Sequence, residues 1–276
     1  MRRRRIFGKT VIYLLLVLCS AVFMLPFLFM LTTALKSSAA VLTIPPKIFP
    51  TDYHWENFGD AMRMMRFWTL LGNTVTITGL TIVGTLLSCT LVAFGFARFD
   101  FKGRNFWFLI LISTMLIPGQ ITMIPLYILM KWLGWIDTFK PLTVPAFFGT
   151  AFYIFLLRQF FMTVPRELDE AAIIDGCGPL RLLLYVMLPL IRPALATVTI
   201  FTFMHTWNDF LGPLIYLQSD HVRTLSLGLY SFQGEYVSQW HYLMAASILL
   251  MLPCLLVFFL FQRYFIEGTT VTGIKG

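Results

Sequence analysis

The chain has 276 residues, of which 58% are hydrophobic and 12% are charged. Soluble domains contain about 45–50% apolar and about 25% charged residues, so a soluble fold of this size would have more apolar surface than it could bury. This composition excludes a disordered chain and a disulfide scaffold, and it predicts one all-α membrane domain without room for a separate soluble enzyme domain.

Six apolar runs are each long enough to cross the hydrocarbon core, which takes about 20 helical residues. The first follows a basic segment at residues 1–10. A cleaved signal peptide is an alternative there, but its apolar core is about 7–15 residues long and this run continues from 11 to 35. We therefore predict a membrane domain at 11–266 and a polar tail at 267–276. The predicted spans are residues 11–35, 70–97, 106–130, 142–161, 187–211 and 242–261.

The basic residues predict the orientation of these spans in the membrane. If six helices cross the membrane, both termini lie on the same side, and 14 of the 21 lysines and arginines lie on that side too. Cytoplasmic loops carry the excess of basic residues in membrane proteins, so we expect both termini in the cytoplasm. The same rule accounts for the net charge of +8, and no nucleic-acid partner is expected.

Span three is interrupted by Pro118-Gly119 and by Pro125. Proline removes a backbone donor and kinks a helix, while neighbouring helices can satisfy the freed groups. Two interpretations stay open. The break is a simple kink, or it marks a pliable helix that lines a transport pathway, with Gln120 as a candidate lining residue.

The sequence contains no catalytic or metal-binding pattern. Its histidines and cysteines lack metal-ligand spacing, and no phosphate-binding loop, HExxH or GxSxG motif occurs. The carboxylates between 167 and 175 would suit a catalytic acid pair, but a solvated helix face is the simpler interpretation. We expect no enzyme activity, cofactor or metal. Charged residues deep in a span, typical of proton-driven carriers, are also missing, which weakens the hypothesis of a secondary carrier.

The loop between spans four and five carries the most informative pattern. Pro165 suits a helix start, and the acidic residues behind it suit the positive end of a helix. Gly176 and Gly178 suit a left-handed helix end, and Pro179 suits the start of a second helix. The sequence therefore predicts a short helix, a forced break and another helix.

One face of this short helix is small and apolar. Leu168, Ala171 and Ala172 share that face by their helical spacing, and small alanines permit close approach by another protein. Docking of a partner is one interpretation, and a helix lying on the membrane surface is the other.

The ordered residues of this loop resemble the EAA loop of ATP-binding-cassette (ABC) importer permeases. The resemblance extends to the six spans, to Trp207-Asn208-Asp209 at the end of span five and to the terminal Gly273-Ile274-Lys275-Gly276. These features are similar to carbohydrate-type permeases, in particular the MalG-like subunits of maltose systems. Cys177 and Leu183 depart from the family pattern but leave its glycine and its acid intact. The loop residues to which the family gives an ATPase-coupling role are Glu170, Ala171, Ala172, Asp175, Gly176, Leu188 and Pro189.

The resemblance implies a transport subunit that depends on other chains. A coupling helix at 165–178 would dock on a cytoplasmic ATPase dimer, which binds ATP and magnesium, with Glu170 paired to a basic residue and Gly176 in the tight turn. A paralogous second permease would complete the pathway. An extracytoplasmic solute-binding protein would deliver the solute, with residues 212–241 as a candidate contact, and the tail at 267–276 would reach the ATPase interface. The location implied is a bacterial or archaeal cytoplasmic membrane, with membrane lipid around the spans.

Trp207, Asn208 and Asp209 have two interpretations. They form an interfacial anchor followed by a polar helix end, or they belong to a gate of the pathway. For the whole chain, a sugar or oligosaccharide permease is the first hypothesis. A permease of the same architecture for another solute, such as glycerol phosphate, is the second, and a self-sufficient secondary carrier is the third.

Overall fold

The computed structural model describes residues 2–45, 47–233 and 239–273. Within these ranges all regular structure is helical and no strand occurs, which confirms the predicted all-α class. Of the described residues, four helices are long and apolar enough to cross a membrane, and two bent helix pairs meet the same criteria if each pair counts as one span. The four are Lys9–Ala34, Phe67–Arg98, Lys140–Thr163 and Trp240–Gln262, and the pairs are Arg104–Leu116 with Gly119–Trp132 and Pro179–Leu190 with Arg192–Trp207.

The α-helices are numbered here in chain order. Shorter 3₁₀ turns lie at Thr114–Leu116, Val144–Phe148 and Asp220–Val222, and a π-helical turn lies at Leu182–Met187. The α-helices are α1 (Arg2–Ala34), α2 (Ser38–Val41), α3 (Glu56–Met64), α4 (Phe67–Arg98), α5 (Arg104–Ser113), α6 (Gly119–Trp132), α7 (Lys140–Thr143), α8 (Ala151–Thr163), α9 (Glu167–Ile174), α10 (Pro179–Arg181), α11 (Leu188–Leu190), α12 (Arg192–Trp207), α13 (Leu211–Tyr216), α14 (Leu225–Tyr230) and α15 (Trp240–Gly273).

Each predicted span overlaps one of these long helices or bent pairs, but two spans are broken. The helices on either side of Pro118 meet at 97°, which is far more than a proline kink. Ile117 adopts an extended conformation with ψ of 112°, because the proline ring disfavours the helical conformation of the residue before it. The second break, of 82°, lies between Pro189 and Pro193, each of which lacks the N–H that would continue the helix.

The chain divides into two compact units, each with its own packing. The first contains residues 1–67 and 228–252. Here the Asn57 amide donates hydrogen bonds to the carbonyl oxygens of Ala34, at 2.8 Å, and Lys36, at 2.9 Å. The last carbonyls of a helix have no partner within it, so Asn57, itself buried, satisfies the C-terminal end of α1.

The second unit contains residues 68–227 and 253–276. Its core joins α4, α8, α9, the π turn and α12 around fully buried side chains such as Leu157, Phe161 and Met187. The rings of Phe94 and Phe161 meet edge to face, with centroids 5.6 Å apart. This core fixes the position of the loop between spans four and five.

We expect Asn57→Ala to destabilise the first unit by about 1–3 kcal/mol, because it leaves buried carbonyls without a donor. Asn57→Asp should be worse, since it places a carboxylate against two carbonyl oxygens. The measurement is the apparent melting temperature of the purified protein in detergent. Asn105→Ala, which changes an exposed amide in α5, is the control, and an equal melting temperature for all variants would contradict the capping role.

Candidate functional site

The loop helix α9 is ended by a glycine turn. Gly176 has φ of +80°, a left-handed conformation that side-chain-bearing residues rarely adopt. The N–H of Cys177 donates to the carbonyl of Ala172 and that of Gly176 to the carbonyl of Ile173, each at 2.9 Å. These two bonds form a Schellman motif. The predicted helix end at Gly176 is therefore confirmed, while Gly178 is extended and precedes Pro179 at the start of α10.

An ion pair anchors α9 to the last residue of α4. Arg98 Nε lies 3.2 Å from Asp169 Oδ2, and only 5% and 13% of the two side chains are exposed. Arg98 Nη2 also donates to the carbonyl of Val164 at 2.8 Å. Burial raises the pKa of the Asp169 carboxyl, and the Arg98 cation acts in the opposite direction. Together with the buried Ala172, this pair fixes the inner side of α9.

The outer side of α9 is exposed to solvent among the described residues. Glu170 and Ala171 are exposed, and 84% of Ile174 is accessible. We call Glu170, Ala171 and Ile174 the outer face, because their spacing places them on one side of the helix. The predicted common face of Leu168, Ala171 and Ala172 is divided in the structure. Leu168 and Ala171 are exposed, whereas Ala172 is only 8% exposed and packs into the core.

The remaining predicted loop residues take different positions. Asp175 is the exposed C-terminal cap of α9. Leu188 packs against the core, and Pro189 is exposed next to the 82° bend. Leu188 and Pro189 therefore shape the chain where it turns into α12, and they are not part of the outer face.

A cavity of about 460 Å³, whose lining combines seven threonines with apolar side chains, lies within the second unit. Three stretches of the chain line it: one face of α4, the segment from 142 to 153 and one face of α12 with the residues that follow. The lining residues are Thr74, Ile77, Thr81, Thr85, Leu142, Pro145, Ala146, Gly149, Thr150, Phe152, Tyr153, Thr202, His205, Thr206, Asp209, Pro213 and Thr224.

Sequence reasoning missed most of this cavity, although a signal was present. Thr202, His205, Thr206 and Asp209 follow an i, i+3, i+4, i+7 pattern, which defines one helix face. The pattern lies in an apolar span and is made of polar residues, so a search for apolar periodicity alone passes over it. Only Asp209 of this set was among the predicted pathway residues.

The other predicted pathway residues lie elsewhere. Trp207 is 3% exposed and stacks on Phe203, with ring centroids 5.2 Å apart, so it is a packing residue. The Asn208 amide donates to the carbonyl of Met204 at 2.8 Å and ends α12. Gln120 is exposed at the start of α6 and is not one of the described residues that line the cavity.

Residues 212–227 of the loop at 212–241 belong to the second unit, and hydrogen bonds hold them within it. Asn73 in α4 donates to the carbonyls of His221 and Arg223, each at 2.8 Å. The Asp137 carboxylate accepts from the N–H groups of Gln218 and Ser219, and hydrogen bonds from Ser219 lower its pKa. Residues 234–238 of the loop, and Ile274-Lys275-Gly276 of the terminal motif, lie outside the described residues.

Comparisons with known proteins all indicate the same family. A family model described as a binding-protein-dependent transport system inner membrane component matches residues 89–271. The chain is 36% identical over 245 residues to the arabinooligosaccharides transport system permease protein AraQ of Halalkalibacterium halodurans, covering 89% of this chain and 86% of that one. It is 30% identical to the sn-glycerol-3-phosphate transport system permease protein UgpE of Brucella abortus, with 94% and 95% coverage.

A solved structure has the same fold along nearly the whole chain. It is a chain from the crystal structure of a bacterial ABC transporter involved in the import of the acidic polysaccharide alginate. The TM-score is 0.82 at 26% identity, and the match covers 96% of this chain and 98% of the other.

We expect Asp169→Ala to loosen α9, because it leaves the buried Arg98 guanidinium without its carboxylate. Removing one partner of a buried ion pair costs roughly 3–5 kcal/mol. A change of about 1.4 kcal/mol is already tenfold, so amide exchange by local opening should be at least tenfold faster. Hydrogen–deuterium exchange of the peptide covering 167–177 measures this. Glu170→Ala, which changes the exposed acidic residue next to Asp169 on the same helix, is the matched control. Equal exchange in both variants would contradict the anchoring role.

Proposed function

This chain belongs to the family of binding-protein-dependent transport system inner membrane components, and from that premise we propose that it is an ABC importer permease for a sugar or oligosaccharide. The observation that carries the proposal is the similarity to AraQ over 89% of the chain. The alginate importer, a transporter of another carbohydrate, supports it through a fold shared over 96% of this chain. A permease for glycerol phosphate is the second candidate, and the similarity to UgpE supports it.

The proposed topology has six spans, with each bent pair crossing the membrane once. Both termini then lie in the cytoplasm, which the excess of lysine and arginine on that side supports. The membrane domain covers 11–266, between the basic residues 1–10 and the tail at 267–276. In this topology α9 lies on the cytoplasmic side, where an ATPase can reach it.

Within this topology, the outer face of α9 is the contact for the ATPase. Its inner side is anchored through Arg98 and Asp169, so a force applied to the outer face would pass directly to α4. The exposed Ile174 supplies an apolar surface, and Glu170 supplies a charge for a basic residue of the partner. The partner chains would hydrolyse ATP with magnesium, and this chain would move in response.

The other partners follow from the same family. A paralogous second permease would provide the other half of the pathway, because one chain of this size forms only half of it. An extracytoplasmic solute-binding protein would dock on the opposite surface, and the loop at 212–241 is the proposed contact. The strongly exposed apolar side chains of α1, such as Phe23 at 75%, would face lipid or the second permease.

We expect the transporter, assembled with its partner chains in proteoliposomes, to take up a neutral oligosaccharide such as arabinotriose or raffinose when ATP is supplied. Glu170→Lys should abolish this uptake while the chain stays inserted, because it reverses the charge offered to the ATPase. Asp52→Lys, another reversal of an exposed charge, is the control. Uptake of sn-glycerol 3-phosphate alone would favour the second candidate, and normal uptake by Glu170→Lys would contradict the proposed role of Glu170.

Crosslinking separates a docked α9 from a helix that lies on the membrane surface. A cysteine in place of Ala171 or Ile174, in a background without the native cysteines, should crosslink to the ATPase. A cysteine in place of the buried Ala172 is the matched control one residue away and should not react. If no position from 168 to 174 gives a crosslink, α9 lies on the membrane surface and the docking proposal fails.

A further inference from the structure

We propose that the threonine-lined cavity of this chain is itself a binding site for a neutral, polyhydroxylated solute. The proposal rests on the proposed function and adds two statements to it. The first is that this subunit contacts the solute directly. The second is that the site favours an uncharged sugar over an anionic solute such as glycerol phosphate or a uronate.

The first argument is the cost of polar side chains inside a span. Thr85 and Thr202 are 2% and 4% exposed and lie within apolar helices. Polar groups in spans face the bundle interior or a water-filled cavity, since hydrocarbon offers them no partner. The lining threonines converge from α4 and α12 on a shared volume, which is what a site for a hydrogen-bonding ligand requires.

The second argument is that part of this hydrogen-bonding capacity is not used by the protein. Thr74 is satisfied, because its hydroxyl donates to the carbonyl of Leu70 and accepts from the N–H of Leu225, each at 2.9 Å. Thr202 differs. Its hydroxyl is buried and makes no hydrogen bond of normal geometry among the described residues, although the hydroxyl of Tyr153 lies near it. A buried hydroxyl whose contact is only this poorly aligned one costs free energy, and a solute hydroxyl that reached it would supply a better partner.

The third argument is the match between the lining and a sugar. Threonine and tyrosine hydroxyls both donate and accept hydrogen bonds, as sugar hydroxyls do. The lining also includes apolar side chains such as Ile77 and Phe152, which suit the C–H faces of a sugar ring. The volume of about 460 Å³ lies within the roughly 300–1,000 Å³ typical of small-molecule sites.

The fourth argument is charge. The described residues that line the cavity include one carboxylate, Asp209, one imidazole, His205, and no lysine or arginine. A phosphate or carboxylate in the cavity would meet a like charge where the low dielectric strengthens repulsion. An uncharged sugar would meet instead an acceptor for its hydroxyl groups.

The test compares two threonines on the same helix. Thr202 lines the cavity, whereas Thr199, one turn earlier, donates its hydroxyl to the carbonyl of Leu195 at 2.8 Å and does not line it. Equilibrium binding of radiolabelled raffinose and arabinotriose is measured on the assembled transporter in nanodiscs, without the solute-binding protein. We expect Thr202→Val to weaken binding about fivefold, as expected for one lost hydrogen bond, and Thr199→Val to bind like the wild type.

A second variant tests the charge preference. The wild type should bind sn-glycerol 3-phosphate more weakly than either sugar. Asp209→Asn keeps the side-chain oxygen that accepts from the N–H of Gly212 at 3.1 Å, so the local turn is preserved while the charge is removed. This variant should narrow the difference between sugar and phosphate, and an unchanged difference would overturn the charge argument.

Solute protection keeps the proposal testable if Thr202→Val fails to assemble. A cysteine at position 206, in a background without the native cysteines, should react with a hydrophilic maleimide, and raffinose or arabinotriose should slow the reaction. Equal sugar binding by Thr202→Val and Thr199→Val, or no protection at position 206, would overturn the cavity site. If ATP-driven sugar uptake persists in that case, the proposed function stands. If the wild type takes up no carbohydrate, the proposed function itself fails.

Discussion

The ion pair between Arg98 and Asp169 joins the long helix α4 to the loop helix α9 within the second unit. It joins the last residue of a 32-residue helix to a short loop helix, and it does so where both side chains are largely buried. A buried pair of this kind contributes less through its net free energy than through the penalty of breaking it. The loop helix is therefore held in one position relative to α4. Its outer face stays available because all the anchoring groups lie on the opposite side.

In the second unit, apolar and polar side chains are distributed in the opposite way to those of a soluble protein. Large apolar side chains are exposed along the outside of the long helices, whereas threonines, His205 and Asp209 converge on an interior cavity. Backbone groups in a membrane must be satisfied within the protein, which is why all described regular structure is helical. Two proline breaks interrupt the helical spans. They let two spans turn sharply, and one of these turns leads directly from the loop helices into the cavity-lining face of α12.

Several features of the fold follow from local sequence. The apolar runs predict the helices because a membrane span needs only length and hydrophobicity, and every predicted run overlaps a long helix or a bent pair. The glycine at position 176 predicts a left-handed turn there, since a residue without Cβ adopts the left-handed conformation at little cost. The resemblance to ABC importer permeases, read from the ordered loop residues, is confirmed by the family match over 89–271. The sizes of the bends at Pro118 and Pro189 were not predictable, because proline breaks a helix without fixing the angle at which it resumes.

The sequence by itself determined the all-α membrane class, the family and the position of the loop helix, because these depend on composition, periodicity and ordered short-range motifs. Only the tertiary structure decided that Ala172 faces the core while Ala171 faces outward, since the two share a helical face by spacing and differ only in what packs against them. It also decided that Arg98 pairs with Asp169 across 71 positions of chain, and that threonines from α4 and α12 share one cavity. Such contacts join residues far apart in the sequence, and packing, not local propensity, brings them together.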